Sequence, residues 1–261
     1  MKTKRRDFLK KVGAATAGMS LYPTIVKASA LGRDGNVPPS DRLNMILIGA
    51  GSMGRFNLEE FLKFDDIQAT AVCDIDDKQA AAAKKMIDEN YGNSDCRVYK
   101  DYREILEKED ADTAILALPD HWHALIGVAT INKKIDVYGE KPLARSIVES
   151  RAIVDAAQKN NVIWQMGSWQ RSVAHFHKAA VLVRNGRIGK VNFVEVGLPR
   201  GGHYIGNPPV QPVPEGVDWD MWLGPAPKVP FRGVIHSHWR WIMDYSGGQL
   251  TDWAGHHIDI A

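Results

Sequence analysis

Residues 43–54 read LNMILIGAGSMG, a short apolar run that ends in three glycines with the spacing G-x-G-x-x-G. The apolar run predicts a buried strand, and a helical pattern begins directly after the last glycine. Gly49 would permit a tight turn, Gly51 would let the backbone approach a phosphate, and Gly54 would let helix and strand pack closely. The pattern is typical of a loop that binds a dinucleotide, with the phosphates at the helix N-terminus.

An acidic residue supports this interpretation. The next apolar run, 69–73, ends at Asp74, 20 residues after Gly54, where a carboxylate can accept hydrogen bonds from ribose hydroxyls. Asp74 would repel a 2′-phosphate and residues 75–77 supply no arginine, so we expect NAD rather than NADP, although Lys78 leaves NADP open. Alternatively, the glycines form only a tight turn and Asp74 caps a helix. The residues expected to bind the cofactor here are Gly49, Gly51, Ser52, Met53, Gly54 and Asp74.

Short apolar runs and helical patterns continue to alternate along the chain. Strands are predicted over 43–48, 69–73, 113–118, 136–138 and 162–166, and helices over 55–64, 78–90, 123–132 and 146–160. This order predicts a parallel sheet covered by helices on both faces, which is the Rossmann architecture. We assign residues 42–166 to an NAD(P)-binding Rossmann domain.

The pattern changes after Gly167, and we predict the start of a second domain over 167–261. A helix over 173–184 is followed by a glycine turn and by an alternating run over 191–196, which predicts a strand. Residues 199–230 are rich in Gly and Pro and predict a long irregular loop that shapes a substrate mouth. The predicted fold class is α/β, with the Rossmann domain followed by an α+β substrate domain built on an open sheet.

The first 30 residues differ in charge from the rest of the chain. They carry a net charge of +6, which leaves −4 for the remainder of a chain whose net charge is +2. Paired Arg5 and Arg6, an uncharged run over 12–26 and the small residues at 28–30 resemble a twin-arginine export signal cleaved near Ala30. A basic amphipathic helix is the alternative. We predict a signal over 1–30, a linker over 31–41, and transport by the twin-arginine machinery to the periplasm.

Composition excludes several other classes of protein. The acidic remainder gives no reason to expect nucleic-acid binding, and no run approaches the roughly 20 apolar residues of a stable membrane anchor. Two cysteines, Cys73 and Cys96, exclude a disulfide framework, which agrees with folding in a reducing compartment before export. Three His-x-His pairs, at 121/123, 175/177 and 236/238, lack the spacing of a recognisable zinc site, so no metal is predicted.

Several segments resemble one known family. They are LPDHWH at 118–123, GEKP at 139–142, QR at 170–171, DWDMWLGPAP at 218–227 and GGQLTDWAGHHID at 247–259. Together they are similar to the Gfo/Idh/MocA oxidoreductases, the glucose–fructose oxidoreductase and inositol dehydrogenase type. The resemblance implies that the lysine of Glu-Lys-Pro lies beside nicotinamide and substrate, and that D-x-x-x-H supplies a catalytic pair. It therefore implies catalytic roles for Lys141, Asp252 and His256.

These three residue types suit the oxidation of an alcohol. Lys141, which Pro142 biases towards an extended conformation, can polarise a hydroxyl or carbonyl oxygen. His256 could take the hydroxyl proton as hydride leaves carbon, while Asp252, on the same helix face, could orient the imidazole or hold a substrate hydroxyl. Without the resemblance, Lys141 could be a surface turn residue, Asp252 a helix N-cap and His256 a packed histidine.

Further contacts are expected from the same segments. The additional residues expected at the cofactor are Pro119, His121, His123, Glu140 and Lys141. The residues expected at the substrate are Lys141, Gln170, Arg171, Trp239, Arg240, Asp252 and His256. Aromatic faces such as that of Trp239 can pack on the C–H faces of pyranose rings, although plain core packing is an alternative for each tryptophan.

The predicted function is hydride transfer between a tightly bound nicotinamide cofactor and a sugar or polyol hydroxyl. A periplasm has no free nicotinamide pool, so the cofactor is expected to stay bound and return to its starting state in each cycle. One alternative is an NAD-dependent glycoside hydrolase that works through a transient keto sugar and elimination. Another is a non-catalytic protein that binds nucleotide and sugar. Family members usually continue beyond the D-x-x-x-H helix and pair through a C-terminal sheet, so we expect a truncated chain and a homo-oligomeric full-length form.

Overall fold

The computed structural model describes residue 31 and residues 37–201, 206–233 and 238–261. The predicted export signal over 1–30 and most of the predicted linker lie outside the described residues. Residues 42–261 form one compact unit, and the described part of the unit before it contains a 3-10 turn, Pro39–Asp41. The boundary predicted at residue 166 falls inside the larger unit and stays a prediction. Among the described residues, we find no helix with the length and apolar character that a membrane span requires.

Six parallel strands form the central sheet. They are β1 Leu43–Ile48, β2 Ile67–Cys73, β3 Arg97–Tyr99, β4 Thr113–Leu116, β5 Asp136–Glu140 and β6 Trp164–Gly167. Their order across the sheet is β3-β2-β1-β4-β5-β6. The order reverses direction between β1 and β4, and in open parallel sheets a ligand crevice forms outside the carboxyl ends of the strands at such a point.

Helices connect the strands and continue beyond them. They are α1 Ser52–Phe61, α2 Asp77–Tyr91, α3 Tyr102–Lys108, α4 Asp120–Asn132, α5 Ile147–Asn160, α6 Ala174–Arg184, α7 Trp219–Leu223 and α8 Gly255–Ile260. Local chemistry sets several helix starts. The Asp76 carboxylate accepts the Lys78 N–H at the start of α2, and Ser146 with Glu149 forms a reciprocal capping box at the start of α5.

The sheet is buried on both faces because side chains along a strand alternate between them. In β1, Ile46 and Ile48 pack into one apolar cluster with Ile126 and Ile153 of α4 and α5. Met45 and Leu47 pack into a second cluster with residues of α1 and α2, including Leu58 and Ile87. Helices therefore cover both faces, and the predicted α/β class with an N-terminal Rossmann domain is confirmed.

The chain after Gly167 is built differently. A smaller core forms around α7, where Trp219 and Trp222 stack with ring centroids 4.7 Å apart and Tyr245 and Phe231 close the cluster. The strand predicted over 191–196 is wrong, because these residues are irregular and mostly exposed. No described strand lies beside them, and a strand needs a neighbour to satisfy its backbone hydrogen bonds. The described residues of the segment 199–230 are largely irregular as predicted, but they include α7.

Candidate active site

A cleft of about 550 Å³ lies outside the carboxyl ends of the strands. Its two ends differ in composition. One, here called the glycine end, contains Gly49, Gly51, Gly54 and Asp74. The other, here called the lysine end, contains Lys141, Trp239, Arg240, Asp252 and His256. The cleft therefore brings together the glycine loop and the predicted catalytic residues.

Two of the three glycines are required by close packing. Gly49 has a φ of +92°, and a Cβ atom placed on it would lie 2.2 Å from the Ala117 carbonyl oxygen. A Cβ atom on Gly54 would lie 1.9 Å from the Gly49 carbonyl oxygen. Gly51 is different, because a Cβ atom there would meet nothing within 4 Å. Gly51 thus leaves open space beside the start of α1.

The start of α1 is suited to an anion. Gly51 is the N-cap residue and offers no side chain to the first N–H groups of the helix, whose dipole makes this end positive. The Asp74 carboxylate accepts the Ala50 N–H at 2.6 Å and the Asp76 N–H at 2.9 Å, which fixes it in the cleft wall. Open space at Gly51, an uncapped helix start and a fixed carboxylate fit the phosphates and the ribose of a nicotinamide dinucleotide.

Polar side chains that the sequence patterns did not indicate also line the glycine end, among them Arg55, Gln79, Lys100 and Tyr102. Arg55 donates to the Ala50 carbonyl oxygen at 2.6 Å and to Gln79 Oε1. Lys100 pairs with Asp77 at 2.9 Å. Arg55 follows the last glycine of the motif directly, so its position offered a signal, whereas Lys100 directly follows β3, a strand that the sequence pattern does not reveal. Both are cations in the cleft that holds Asp74.

A partly buried ion pair forms the centre of the lysine end. Lys141 follows β5, and its Nζ donates to the Asp252 Oδ1 at 2.8 Å and to the Asp252 backbone oxygen at 2.8 Å. The side chains of Lys141 and Asp252 are 14% and 18% exposed, so solvent screens the pair only weakly. Arg240 donates its Nε–H to the same Oδ1 at 3.1 Å. One carboxylate oxygen thus holds two cations.

The Glu140 carboxylate contacts the residues around Lys141. It is buried and accepts from the Asn57 amide at 2.9 Å and from the Lys141 backbone N–H at 3.2 Å. Burial raises the pKa of Glu140, while the Asn57 hydrogen bond and the Lys141 charge oppose that rise. Because Asn57 belongs to α1, this contact connects the helix of the glycine end to the lysine.

His256 lies in the same cleft wall and is buried. Its Nδ1 has no hydrogen-bond partner among the described residues, and its ring packs edge-on against Trp169 at 6.0 Å. Burial lowers the pKa of His256, and the positive charge of Lys141 lowers it further, so the ring is mostly neutral at pH 7. Among the described contacts, Asp252 bonds Lys141 and Arg240 rather than His256.

His121 and His123 are buried outside the cleft lining, in contrast to their predicted place at the cofactor. His121 donates through Nε2 to the Trp222 carbonyl oxygen at 3.0 Å, and burial lowers its pKa. His123 contacts the carbonyl oxygens of Pro142 at 2.6 Å and Leu118 at 2.8 Å. Both histidines thus fasten segments of the chain to each other. Pro119, by contrast, lines the cleft as predicted.

Gln170 and Arg171 also lie outside the cleft lining. Arg171 is exposed and pairs with Asp259 at 2.5 Å, which holds the pKa of that carboxyl below its usual range. Their neighbour Trp169 lines the cleft instead. Trp239 and Arg240 are in the cleft as predicted, with the guanidinium 4.6 Å from the Trp239 ring centroid. The described residues contain no cluster of three or more potential metal ligands.

Two models of one protein family match the chain. The first, described as "Oxidoreductase family, NAD-binding Rossmann fold", matches residues 43–168. The second, "Oxidoreductase family, C-terminal alpha/beta domain", matches residues 154–261. The first carries the name GFO_IDH_MocA and the second the name GFO_IDH_MocA_C2.

Curated relatives of two kinds are similar to the chain. A glycosyl hydrolase family 109 protein of Shewanella sp. (strain MR-4) is 29% identical over 171 residues, covering 59% of this chain and 37% of the relative. The uncharacterized oxidoreductase YrbE of Bacillus subtilis (strain 168) is 27% identical over 150 residues, covering 58% of this chain and 42% of the relative. The matched segment therefore spans well under half the length of each relative.

Solved structures agree with the fold. Myo-inositol 2-dehydrogenase from Lactobacillus plantarum superposes with a TM-score of 0.52 at 25% identity, covering 57% of this chain and 43% of that one. Scyllo-inositol dehydrogenase from Lactobacillus casei, with bound NAD(H) and scyllo-inositol, gives a TM-score of 0.52 at 20% identity over the same shares. At that identity the second likeness concerns the fold alone.

Proposed function

Because the chain belongs to the Gfo/Idh/MocA family of oxidoreductases, we propose that it binds NAD along the cleft and oxidises a hydroxyl group of a sugar or polyol. The observation that carries the proposal is the placement of the Lys141–Asp252 pair and the buried His256 in one cleft with the glycine loop. Similarity to an inositol dehydrogenase supports a polyol or sugar as the substrate.

The glycine end holds the dinucleotide in this proposal. The start of α1 and the space at Gly51 receive the phosphates, and Asp74 accepts from the ribose hydroxyls. Asp74 favours NAD by repelling a 2′-phosphate, while Arg55 and Lys100 in the same cleft could neutralise one. NAD is therefore the proposed cofactor and NADP the competitor to test beside it. When bound, the nicotinamide ring supplies the hydride acceptor.

Lys141 and His256 act on the substrate hydroxyl. Asp252 keeps Lys141 paired and oriented at 2.8 Å, so a fixed ammonium group faces the oxygen that gains carbonyl character. His256 is neutral near pH 7 and can take the hydroxyl proton. Asp252 acts through the two cations on its Oδ1, a different role from orienting the imidazole. Trp239 and Arg240 complete the substrate side of the cleft.

A second function is favoured by the relatives named as glycosyl hydrolase family 109 proteins. In this function, oxidation to a keto sugar acidifies a neighbouring C–H, and elimination breaks the glycosidic bond and releases the aglycone. Water then adds to the resulting double bond, and the return of the hydride to the keto carbon restores the cofactor to its starting state. The same lysine and histidine would serve, because both routes begin by removing the proton of a hydroxyl group and a hydride from the carbon that bears it.

The experiment that tests the proposal follows the absorbance of reduced nicotinamide while inositols, free aldoses and aryl glycosides are added to the protein with NAD or NADP. A lasting rise with a polyol or sugar supports the oxidoreductase, whereas release of the aryl group without a lasting rise supports the glycosidase. If the signal seen with the wild-type protein is lost in Lys141→Met, the activity that produces it takes place in this cleft. If the wild-type protein gives neither signal, both functions are overturned.

Export is part of the proposed function of the whole protein. The paired arginines at positions 5 and 6 and the uncharged run after them support passage through the twin-arginine machinery, with NAD already bound. We propose a periplasmic location and, for the full-length form, a homo-oligomer. Fractionation of cells that produce the tagged protein, compared with an Arg5→Lys, Arg6→Lys variant, tests the location.

A further inference from the structure

One buried carboxylate gathers three donors from a distant turn. Asp120 is the first residue of α4 and is 3% exposed. Its Oδ2 accepts from the Ser246 hydroxyl at 2.7 Å, the Thr251 hydroxyl at 3.0 Å and the Gly247 N–H at 3.4 Å. The donors lie 126 to 131 positions further along the chain. A contact of this kind fixes one part of the fold against another.

The turn that reaches Asp120 is connected internally by the same groups. The Gly248 N–H donates to the Ser246 hydroxyl oxygen at 3.2 Å, and Gly248 has a φ of +65° that favours glycine. The Gly248 carbonyl oxygen accepts the Asp252 N–H at 3.0 Å, which begins the π-helical turn Leu250–Ala254. Asp120 therefore holds the turn from which Asp252 and His256 project.

A charged acceptor suits this position better than a neutral one. An ionised carboxylate is acceptor-only, so all three donors can point at it without a competing N–H, and charge-assisted hydrogen bonds are shorter and stronger than neutral ones. The carboxylate also lies at the start of α4, a helix of 13 residues whose positive end favours an anion. Both effects suit a carboxylate at this position and help to hold its oxygen in place.

Asp120 is also placed to act on the lysine end. It follows the short loop after β4, and both it and Ser246 line the cleft. A second bond, from the His121 N–H to the Tyr245 carbonyl oxygen at 3.2 Å, holds the chain just before the turn. We propose that Asp120 is a positioning residue, which through Ser246 and Thr251 sets where Asp252 and His256 stand relative to Lys141. The expected effect on turnover rests on the proposed function.

The test uses the full chain and the matched pair Thr251→Val and Thr251→Ser, with Asp120→Asn beside them. Valine keeps the shape of threonine and removes the hydroxyl that donates to Asp120, while serine keeps the hydroxyl. Thr130→Val is the control, because the buried Thr130 hydroxyl donates to the Ile126 carbonyl oxygen within α4, away from the turn.

Three measurements are made on each variant: kcat and KM with NAD, the dissociation constant of NAD, and the hydrogen-exchange rate of the segment 246–256. In Thr251→Val we expect kcat to fall about tenfold to 100-fold, since small displacements of catalytic groups have effects of that size. NAD affinity should stay within about twofold, because the glycine end is untouched. Hydrogen exchange in the segment 246–256 should be faster than wild type in Thr251→Val and in Asp120→Asn. In Thr251→Ser it should equal the wild-type rate.

Two outcomes overturn the proposal. Unchanged exchange in Thr251→Val means that the hydroxyl does not hold the turn, and faster exchange with an unchanged kcat means that the turn does not position the catalytic groups. If the wild-type protein turns over no substrate, the proposed function fails by itself. The rate at which an acylating reagent modifies Lys141 then replaces kcat, and it must rise in Thr251→Val and not in Thr130→Val for the positioning role to stand.

Discussion

The two ends of the cleft are built from different parts of the chain. The glycine end is mostly backbone, formed by residues 49–54 and closed by Ala117 and Asp74 within a single sheet. The lysine end is made of side chains, and its central pair joins Lys141 to Asp252, 111 positions later. Backbone shape is specified by a few adjacent residues, whereas a side-chain cluster depends on every contact that brings its members together. Substitutions at the glycine end should therefore alter folding and cofactor binding, and substitutions at the lysine end should alter turnover.

The largest effect should separate two glycines within the glycine end. Gly54→Ala places a Cβ atom 1.9 Å from the Gly49 carbonyl oxygen, so α1 must move away from the sheet, and we expect a loss of about 3 kcal/mol in the free energy of unfolding. Gly51→Ala should leave that free energy nearly unchanged and weaken NAD binding, because its Cβ enters open space beside the helix start. Urea unfolding and NAD titration measure both. Equal unfolding midpoints for the two variants would contradict the packing described.

The second effect belongs to the lysine end. Lys141→Met keeps a long side chain and removes the ammonium group, and we expect kcat to fall about 1000-fold, a loss within the range known for general acid–base and electrostatic groups. Asp252 keeps Arg240 as a partner, so the fold should be retained. Steady-state kinetics and NAD titration check this, with Lys63→Met, an exposed lysine, as the control. A loss of NAD binding equal to the loss of kcat would remove the distinction between the two ends.

A third effect is a change in pH dependence. Burial and the charge of Lys141 lower the pKa of His256, so the neutral base persists at more acidic pH than a free imidazole allows. We expect kcat/KM for oxidation to rise with pH through a pKa below the usual histidine value of about 6.5. Lys141→Met removes the repelling charge, so the acidic limb of its profile should move to higher pH. An acidic limb that persists in His256→Gln would show that another group controls it.

The smallest effect should come from a residue outside both ends. Arg171 was expected at the substrate, yet it is exposed and pairs with Asp259. Surface ion pairs of this kind contribute about 0.5 kcal/mol, so Arg171→Gln should change the free energy of unfolding by no more than that and leave KM unaltered. Substrate titration of the purified variant measures this. A raised KM would show that Arg171 contributes to substrate binding after all.

Much of the sheet could be predicted from local patterns. β1 has the predicted bounds, and β2, β4, β5 and β6 differ from prediction by a few residues at their ends. β3 and α3 were missed, because three strand residues and seven helix residues are too short to show a period. The run over 191–196 shows the reverse case, since its alternation was correct for a strand but no described strand lies beside it.

In the site, too, features set by local sequence could be predicted and features set by tertiary contacts could not. The glycines could be predicted because their requirement is conformational and local. His121 and His123 could not, because the partner of an imidazole is whichever carbonyl the fold brings beside it, and for His121 this is Trp222, 101 positions away. Asp120 was part of a recognised segment, but its three donors come from another turn, so its role needed the tertiary structure.

The sharing of the Asp252 Oδ1 between Lys141 and Arg240 has a practical consequence for identifying the natural substrate. When one cation is removed, the other still neutralises the partly buried carboxylate, so the shape of the cleft does not depend on the group that performs the chemistry. An inactive Lys141→Met protein can therefore serve as bait. Incubated with cell extracts and analysed by native mass spectrometry, it would retain a compound that the active protein converts and releases.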